Sequence, residues 1–147
     1  MTSTATHVHE TSASRADGGV SLTRLYVLRT TYLLLIIGLG GIFVPEIVNH
    51  PITDRGIIAA LLGGFWALAF LGLRYPLQML PLLMFEFVWK VIWVVAYGLP
   101  QWSSGQLTPV TAEDLQATLF GVILMPLVIP WGYVWRRYVK QAGDRWR

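Results

Sequence analysis

Glu86 and Lys90 are the residues of this sequence whose types and spacing point most directly to chemistry. Both interrupt a mostly apolar and otherwise uncharged stretch that runs from Leu77 to Leu99. The glutamate stands four residues before the lysine, which is the favourable order for an ion pair on one helix. Counted from Leu77 at 1.5 Å per residue, Glu86 lies roughly 13 Å and Lys90 roughly 20 Å along such a helix. Both therefore fall within the ~30 Å hydrocarbon core of a bilayer. Ionisable side chains at that depth are costly, so the pair requires either a structural or a functional explanation.

Two aromatic side chains share the predicted helix face of this pair. With Glu86 at zero and about 100° per residue, Lys90 projects at about +40°. Trp93 projects at about −20° and Tyr97 at about +20°, so an indole N–H and a phenol join the two charges in a sector of about 60°. We therefore predict a binding stripe that faces the protein interior or a water-filled cleft and consists of Glu86, Lys90, Trp93 and Tyr97.

Three interpretations of the stripe remain open. The pair can be a buried ion pair that fixes the register of its helix, as some buried ionic groups do. The stripe can instead bind a small solute or carry a proton, because intramembrane ionisable residues usually serve such sites. In the third interpretation, Lys90 binds a carboxylate of a partner subunit.

Other signatures of chemistry are missing from the sequence. It has no cysteine, which excludes disulfides, thiolate metal sites and iron–sulfur clusters. It also lacks a glycine-rich phosphate loop, a serine nucleophile elbow, a HExxH motif and a dinucleotide fingerprint. Glu46, His50 and Asp54 are not expected to form a metal site, because Pro51 interrupts their helical spacing and no paired-histidine motif is present. The sequence thus predicts no catalytic residue, no metal and no cofactor, and it favours a non-enzymatic role.

The composition explains which elements must position the stripe. Apolar residues make up 54% of the 147 residues, charged residues only 13%, and the mean hydropathy is +0.54. A membrane-crossing helix needs roughly 20 mostly apolar residues, and four stretches meet this need, at about 25–45, 56–73, 77–99 and 115–135. The second and fourth have no charged face, unlike the helices of a soluble bundle. The predicted fold class is an all-α, integral membrane four-helix bundle with up-down antiparallel topology.

The positions of lysine and arginine predict the orientation of this bundle. With both termini in the cytoplasm, only Arg55 lies outside and Lys90 lies within the membrane. The remaining basic residues are all inside, namely Arg15, Arg24, Arg29, Arg74, Arg136, Arg137, Lys140, Arg145 and Arg147. The pI of about 9.5 is therefore explained by basic residues that lie on the cytoplasmic side and contact anionic lipid. Nucleic acid is not a predicted partner.

The four apolar stretches and the Ser-, Thr-, Ala- and Gly-rich composition of the first 24 residues predict the domain organisation. Residues 1–24 are predicted to be a mobile cytoplasmic tail, 25–138 the transmembrane domain and 139–147 a basic cytoplasmic tail. The predicted location is the cytoplasmic (inner) membrane of a bacterium, crossed several times, with the lipid bilayer as the first partner.

Small residues and prolines predict how the spans pack. The second span carries two rows of small residues at fourfold spacing, which suit close packing within the chain or between two copies in a homo-oligomer: Gly56, Ala60, Gly64 and Ala59, Gly63, Ala67. Pro126 and Pro130 are expected to kink the fourth span and to free the carbonyls of Val122 and Pro126. Thr111 and Asp114 resemble a capping box before that span.

In length and four-span layout the chain resembles DoxX-like proteins and small multidrug transporters. Because the likeness extends only to size and layout, it implies a small multi-pass membrane protein and assigns a role to no residue. Small multidrug transporters carry a carboxylate in the first span, where this chain has none. We therefore expect a non-enzymatic site for a small solute or proton at Glu86 and Lys90. The alternatives are an accessory or assembly subunit of a larger membrane complex and a quinone-linked redox component.

Overall fold

The computed structural model describes residues 15–16, 19–49 and 56–143. Within these ranges, four helical stretches are long and apolar enough to cross a membrane, namely Leu22–Asn49, Gly56–Arg74, Leu80–Ser103 and Pro109–Val128. They confirm the prediction of an all-helical protein with four membrane-length helices. Most of the predicted N-terminal tail, and also His50 and Asp54, lie outside the described residues.

The described elements follow one another in a simple order. Two two-residue strands, β1 (Arg15–Ala16) and β2 (Val20–Ser21), pair in antiparallel fashion directly before the first helix. The helices are α1 (Leu22–Asn49), α2 (Gly56–Arg74), α3 (Leu80–Trp93), α4 (Leu99–Ser103), α5 (Pro109–Val128) and α6 (Trp131–Val134). A π-helical segment, Val94–Gly98, joins α3 to α4 without a break, and a second one, Trp135–Lys140, follows α6.

The start of α5 differs from the predicted span. The helix begins at Pro109 rather than near residue 115, because the capping box lies at Thr108 and Thr111 instead of at Thr111 and Asp114. The Thr108 hydroxyl accepts a hydrogen bond from the Thr111 backbone N–H at 3.2 Å, and the Thr111 hydroxyl accepts one from the Thr108 N–H at 2.8 Å. Pro109 suits the first turn because the N–H that it lacks would have no partner there.

Pro130 ends α5 rather than kinking it. Ile129 has φ −65° and ψ 123°, an extended conformation, because a residue that precedes proline avoids the helical region. Pro126 remains inside the helix, and its carbonyl accepts a hydrogen bond from the Trp131 indole at 2.9 Å. The expectation of a free carbonyl at Pro126 is therefore wrong.

Contacts between helices show that they pair in antiparallel fashion. On α1 and α2, the Tyr32 ring packs on Gly72 near the end of α2, whereas Ile47, near the end of α1, packs on Gly63 in the first half of α2. Residue numbers thus increase along α1 in the direction in which they decrease along α2, so the two helices are antiparallel. The same holds for the third long helix with α5, because the Lys90 side chain packs on Gly121 and, further along the chain, Gly98 lies against the Leu115 side chain near the start of α5. Nine buried residues form the core where the two pairs meet, namely Leu28, Tyr32, Ala69, Leu80, Leu83, Met125, Val128, Ile129 and Val134.

This arrangement separates the charges of the described side chains by sign. The start of α1, the end of α2, the start of α3 and the end of α5 share one end of the molecule. Every described basic side chain except that of Lys90 belongs to this end: Arg24, Arg29, Arg74, Arg136, Arg137 and Lys140. Three acidic side chains belong to the opposite end, Glu46, Glu113 and Asp114. Between the two ends, the described residues carry only the charges of Glu86 and Lys90.

Candidate functional site

Glu86 and Lys90 form an ion pair on one face of α3. The Lys90 ammonium bonds to the Oε1 atom of Glu86, one helical turn away. Glu86 is only 1% exposed, and the Lys90 side chain is 13% exposed. The pair is therefore shielded by the protein itself, with lysine as the more accessible member.

Trp89 is a third member of this site. Its indole N–H donates to Oε2 of Glu86 at 2.6 Å, and the Lys90 ammonium lies 4.3 Å from the centroid of its ring. Both carboxylate oxygens thus have a donor, and the ammonium gains a cation–π contact. Trp89 is not part of the predicted stripe because it projects at about −60°, outside the sector that holds the other four residues. The signal that could have found it is its spacing of three residues after Glu86, since such residues are neighbours on a helix.

Trp93 and Tyr97 lie apart from the pair. Trp93 is half-buried and its ring packs beside Gly98, whereas Tyr97 is 57% exposed. Within the described residues, neither makes a hydrogen bond to Glu86 or Lys90. The helix widens here, because the Leu99 N–H bonds to the carbonyl of Val94, five residues earlier. A projection at a constant 100° per residue fails across such a segment, so the inward-facing stripe does not extend to Tyr97.

Gly121 on α5 makes room for the lysine. The Lys90 side chain crosses α5 where Gly121 has no Cβ atom, and a Cβ there would overlap the Cδ and Cε atoms of the lysine. Gly121 itself is buried. The position of the ammonium thus depends on a residue of a different helix.

A cavity of about 340 Å³ adjoins the pair between α1, α3 and α5. Leu34 and Phe120 line it and are 57% and 67% exposed, so they mark an opening on the outer surface of the helices. Leu124 and Met125 line the deeper part, with Glu86 and Lys90 in one wall. The volume is at the lower end of the range for small-molecule sites, and the lining is typical of them, mostly apolar with few polar groups.

The chemistry of the cavity follows from which donors and acceptors are already used. The Glu86 carboxylate has a donor on each oxygen, whereas Lys90 has three N–H donors and gives one to Glu86. Thr31, which also lines the cavity, donates its hydroxyl to the Val27 carbonyl at 2.9 Å. Within the described residues, the ammonium of Lys90 is therefore the group best able to bind an acceptor oxygen of a ligand.

No family model matches this chain, and no curated protein or solved structure is significantly similar to it.

Proposed function

We propose that this chain is an integral membrane protein of the bacterial cytoplasmic membrane, with its four long helices arranged as an up-down bundle. The separation of charge supports this placement, because basic residues are enriched on the cytoplasmic side of membrane proteins. The end that carries Arg29, Arg74 and Arg137 then faces the cytoplasm, and in this orientation both termini are cytoplasmic. Glu86 and Lys90 lie between the two membrane surfaces.

We further propose that the cavity beside Lys90 binds a small lipophilic solute that carries an acceptor oxygen. The observation that supports this function is the buried Glu86–Lys90 pair in the wall of an apolar cavity that opens sideways. In a bilayer such an opening faces hydrocarbon, so a solute dissolved in the membrane reaches the cavity without crossing water. The ammonium supplies the polar contact that orients it.

Proton passage has less support than solute binding. A proton path needs a series of ionisable or hydrogen-bonding groups that leads from the pair to a surface. Among the described residues that line the cavity, Glu86 and Lys90 are the only ionisable ones.

Benzophenone is a suitable probe because it is a lipophilic ketone that inserts into nearby C–H bonds when irradiated. The purified protein in phosphatidylcholine vesicles is labelled, digested and mapped by mass spectrometry. We expect adducts on α1 and α5 around Leu34, Phe120 and Met125. Fluorenone should prevent labelling at about tenfold lower concentration than fluorene, which lacks the oxygen, because a hydrogen bond to a charged donor contributes about 1.5–3 kcal/mol.

The matched control uses the other lysine of the chain. Lys90→Met should abolish the advantage of fluorenone over fluorene, whereas Lys140→Met should preserve it. The thermal stability of each variant is measured in parallel, so that loss of the fold is not mistaken for loss of binding. Equal competition by fluorenone and fluorene in the wild type would show that Lys90 does not recognise an oxygen.

A second candidate function is that of a subunit in a larger assembly, and a groove on α2 and α3 favours it. The groove measures about 670 Å³ and is lined by Ala60, Gly64 and Ala67, with Phe65 and Phe85 beside them. Small residues let the backbone of another helix approach closely in lipid. If a second copy occupies the groove, Gly64→Leu should convert a dimer to a monomer in detergent. Gly41→Leu, at an open position of α1, should leave the dimer intact.

A further inference from the structure

A second cleft lies at the basic end of the molecule, separate from the cavity beside Lys90. It measures about 290 Å³ and is formed by the start of α1, the end of α2 and the turn that leads to α3. Arg29 and Arg74 reach it from α1 and α2. The antiparallel pairing of these helices brings the two arginines together, although they are far apart in the sequence.

The cleft has donors but no acid among its described lining residues. Tyr75, Gln78 and Tyr133 add hydroxyl and amide groups to the two guanidinium groups. The one ion pair found among the described residues is that of Glu86 and Lys90, so neither arginine has a described carboxylate partner. Two guanidinium groups at one cleft, neither with a carboxylate partner in the part of the chain that the structure describes, are an arrangement that favours an anion.

Neighbouring groups hold this cleft in shape. The Arg74 guanidinium lies 5.5 Å from the centroid of the Tyr75 ring, and that of Arg29 lies 5.9 Å from the ring of Tyr26. The turn itself is tied to α1, because the hydroxyl of the fully buried Tyr32 donates to the Pro76 carbonyl at 3.4 Å. Arginine side chains that rest on aromatic rings lose less conformational freedom when they bind a ligand.

We infer that Arg29 and Arg74 form a binding site for a phosphate group. The planar guanidinium matches phosphate oxygens with two parallel hydrogen bonds. Phosphate is preferred over a carboxylate because the cleft lies where the apolar helices end, at the depth of lipid headgroups. Basic pockets between membrane helices on the cytoplasmic side bind such headgroups. The inference shares with the proposed function only the membrane location and requires no ligand at Lys90.

The test measures the melting temperature of the full chain in detergent with three additives. Dihexanoyl phosphatidylglycerol carries a phosphate with net negative charge, dihexanoyl phosphatidylcholine carries a phosphate neutralised by choline, and inorganic phosphate has no lipid. We expect phosphatidylglycerol to raise the melting temperature in a saturable manner. A comparable rise with inorganic phosphate would identify a soluble phosphate compound as the source, and a rise with the lipid alone would identify a headgroup. If neither phosphatidylglycerol nor inorganic phosphate raises the melting temperature in a saturable manner, the inference is overturned.

Matched variants separate this site from the general basic charge of that end. Arg29→Gln with Arg74→Gln should weaken the apparent affinity at least about tenfold, because charge-assisted hydrogen bonds are lost. Arg136→Gln with Arg137→Gln removes the same charge outside the cleft and should leave the affinity nearly unchanged. Equal losses in both double variants would overturn the inference. If the first variant does not fold, Arg29→Lys with Arg74→Lys keeps the charge but removes the paired hydrogen bonds, and an unchanged affinity would then count against the site.

Discussion

The polar groups of Glu86, Trp89 and Lys90 satisfy one another within a single turn of α3. A buried ion pair of this kind contributes little net stability, because desolvation of both charges offsets their attraction. Removal of one partner is different, since it leaves an uncompensated charge or polar group in an apolar surrounding. The free energy of unfolding should therefore respond to the two residues as a unit.

A double-mutant cycle on the pair measures this coupling. Glu86→Gln and Lys90→Met should each lower the free energy of unfolding by about 3–5 kcal/mol, the usual loss for breaking a buried pair. The combined variant should lose less than either single variant. Unfolding in detergent, followed by circular dichroism, provides the four values, and losses that simply add would show that the two side chains do not interact.

Gly121 allows a second prediction about the same lysine. Gly121→Ala should lower the free energy of unfolding by about 1–3 kcal/mol, because the new Cβ displaces the Lys90 side chain. In a Lys90→Ala background the same change should be neutral or stabilising, since the obstacle is gone. Gly41→Ala, where nothing lies within 4 Å of the new atom, is the control and should not destabilise. An equal loss from Gly121→Ala in both backgrounds would contradict the contact.

At the scale of whole elements, the glycines of α2 have different roles on the two sides of the helix. Gly63 lies under Ile47 of α1, and Gly72, further along the helix, lies under the ring of Tyr32. Gly64 borders the outer groove, and a Cβ atom added to it would have nothing within 4 Å. One side of α2 thus packs within the chain, and the other is open.

Two alanine substitutions on α2 distinguish these sides. Gly72→Ala should lower the free energy of unfolding by about 1–3 kcal/mol, because the buried ring of Tyr32 has no space to move. Gly64→Ala should be neutral or raise it by up to about 1 kcal/mol through helix propensity. Thermal unfolding of both variants in the same detergent checks the difference. Similar melting temperatures for the two would contradict the packing of α1 on α2.

The number and type of the long helices could be predicted from sequence because uncharged stretches of membrane length leave few alternatives. The ends of these helices could not be predicted, because they depend on which of several nearby residues caps the helix. At the start of α5 the cap is Thr108 rather than Thr111. The pairing of Glu86 with Lys90 follows from spacing alone. The position of Tyr97 does not follow from spacing, because the π-helical segment changes the rotation per residue. The pattern of apolar residues gives no sign of that segment. The cavity depends on how α1 and α5 approach α3, a tertiary property.

At the scale of the whole molecule, the separation of charge predicts topology in the membrane. The chain has no cysteine, so single cysteines can be introduced without background labelling. Cysteine at Gly143 should be protected from an impermeant thiol reagent in intact cells, and cysteine at Ser104 should react. Both positions are exposed on the protein, so protection reports the membrane rather than burial. Labelling at Gly143 without labelling at Ser104 would reverse the proposed orientation.

The location of Glu86, Trp89 and Lys90 on one helix also bears on biogenesis. The carboxylate obtains both of its donors from residues three and four positions further along, so it needs no other helix to be neutralised. If the chain is a membrane protein, as proposed above, α3 can therefore leave the insertion machinery with its charge already compensated, before α5 has been synthesised. A pair divided between two helices would have to wait for the second one. The order of the residues thus suits a protein that is inserted while its chain is still growing.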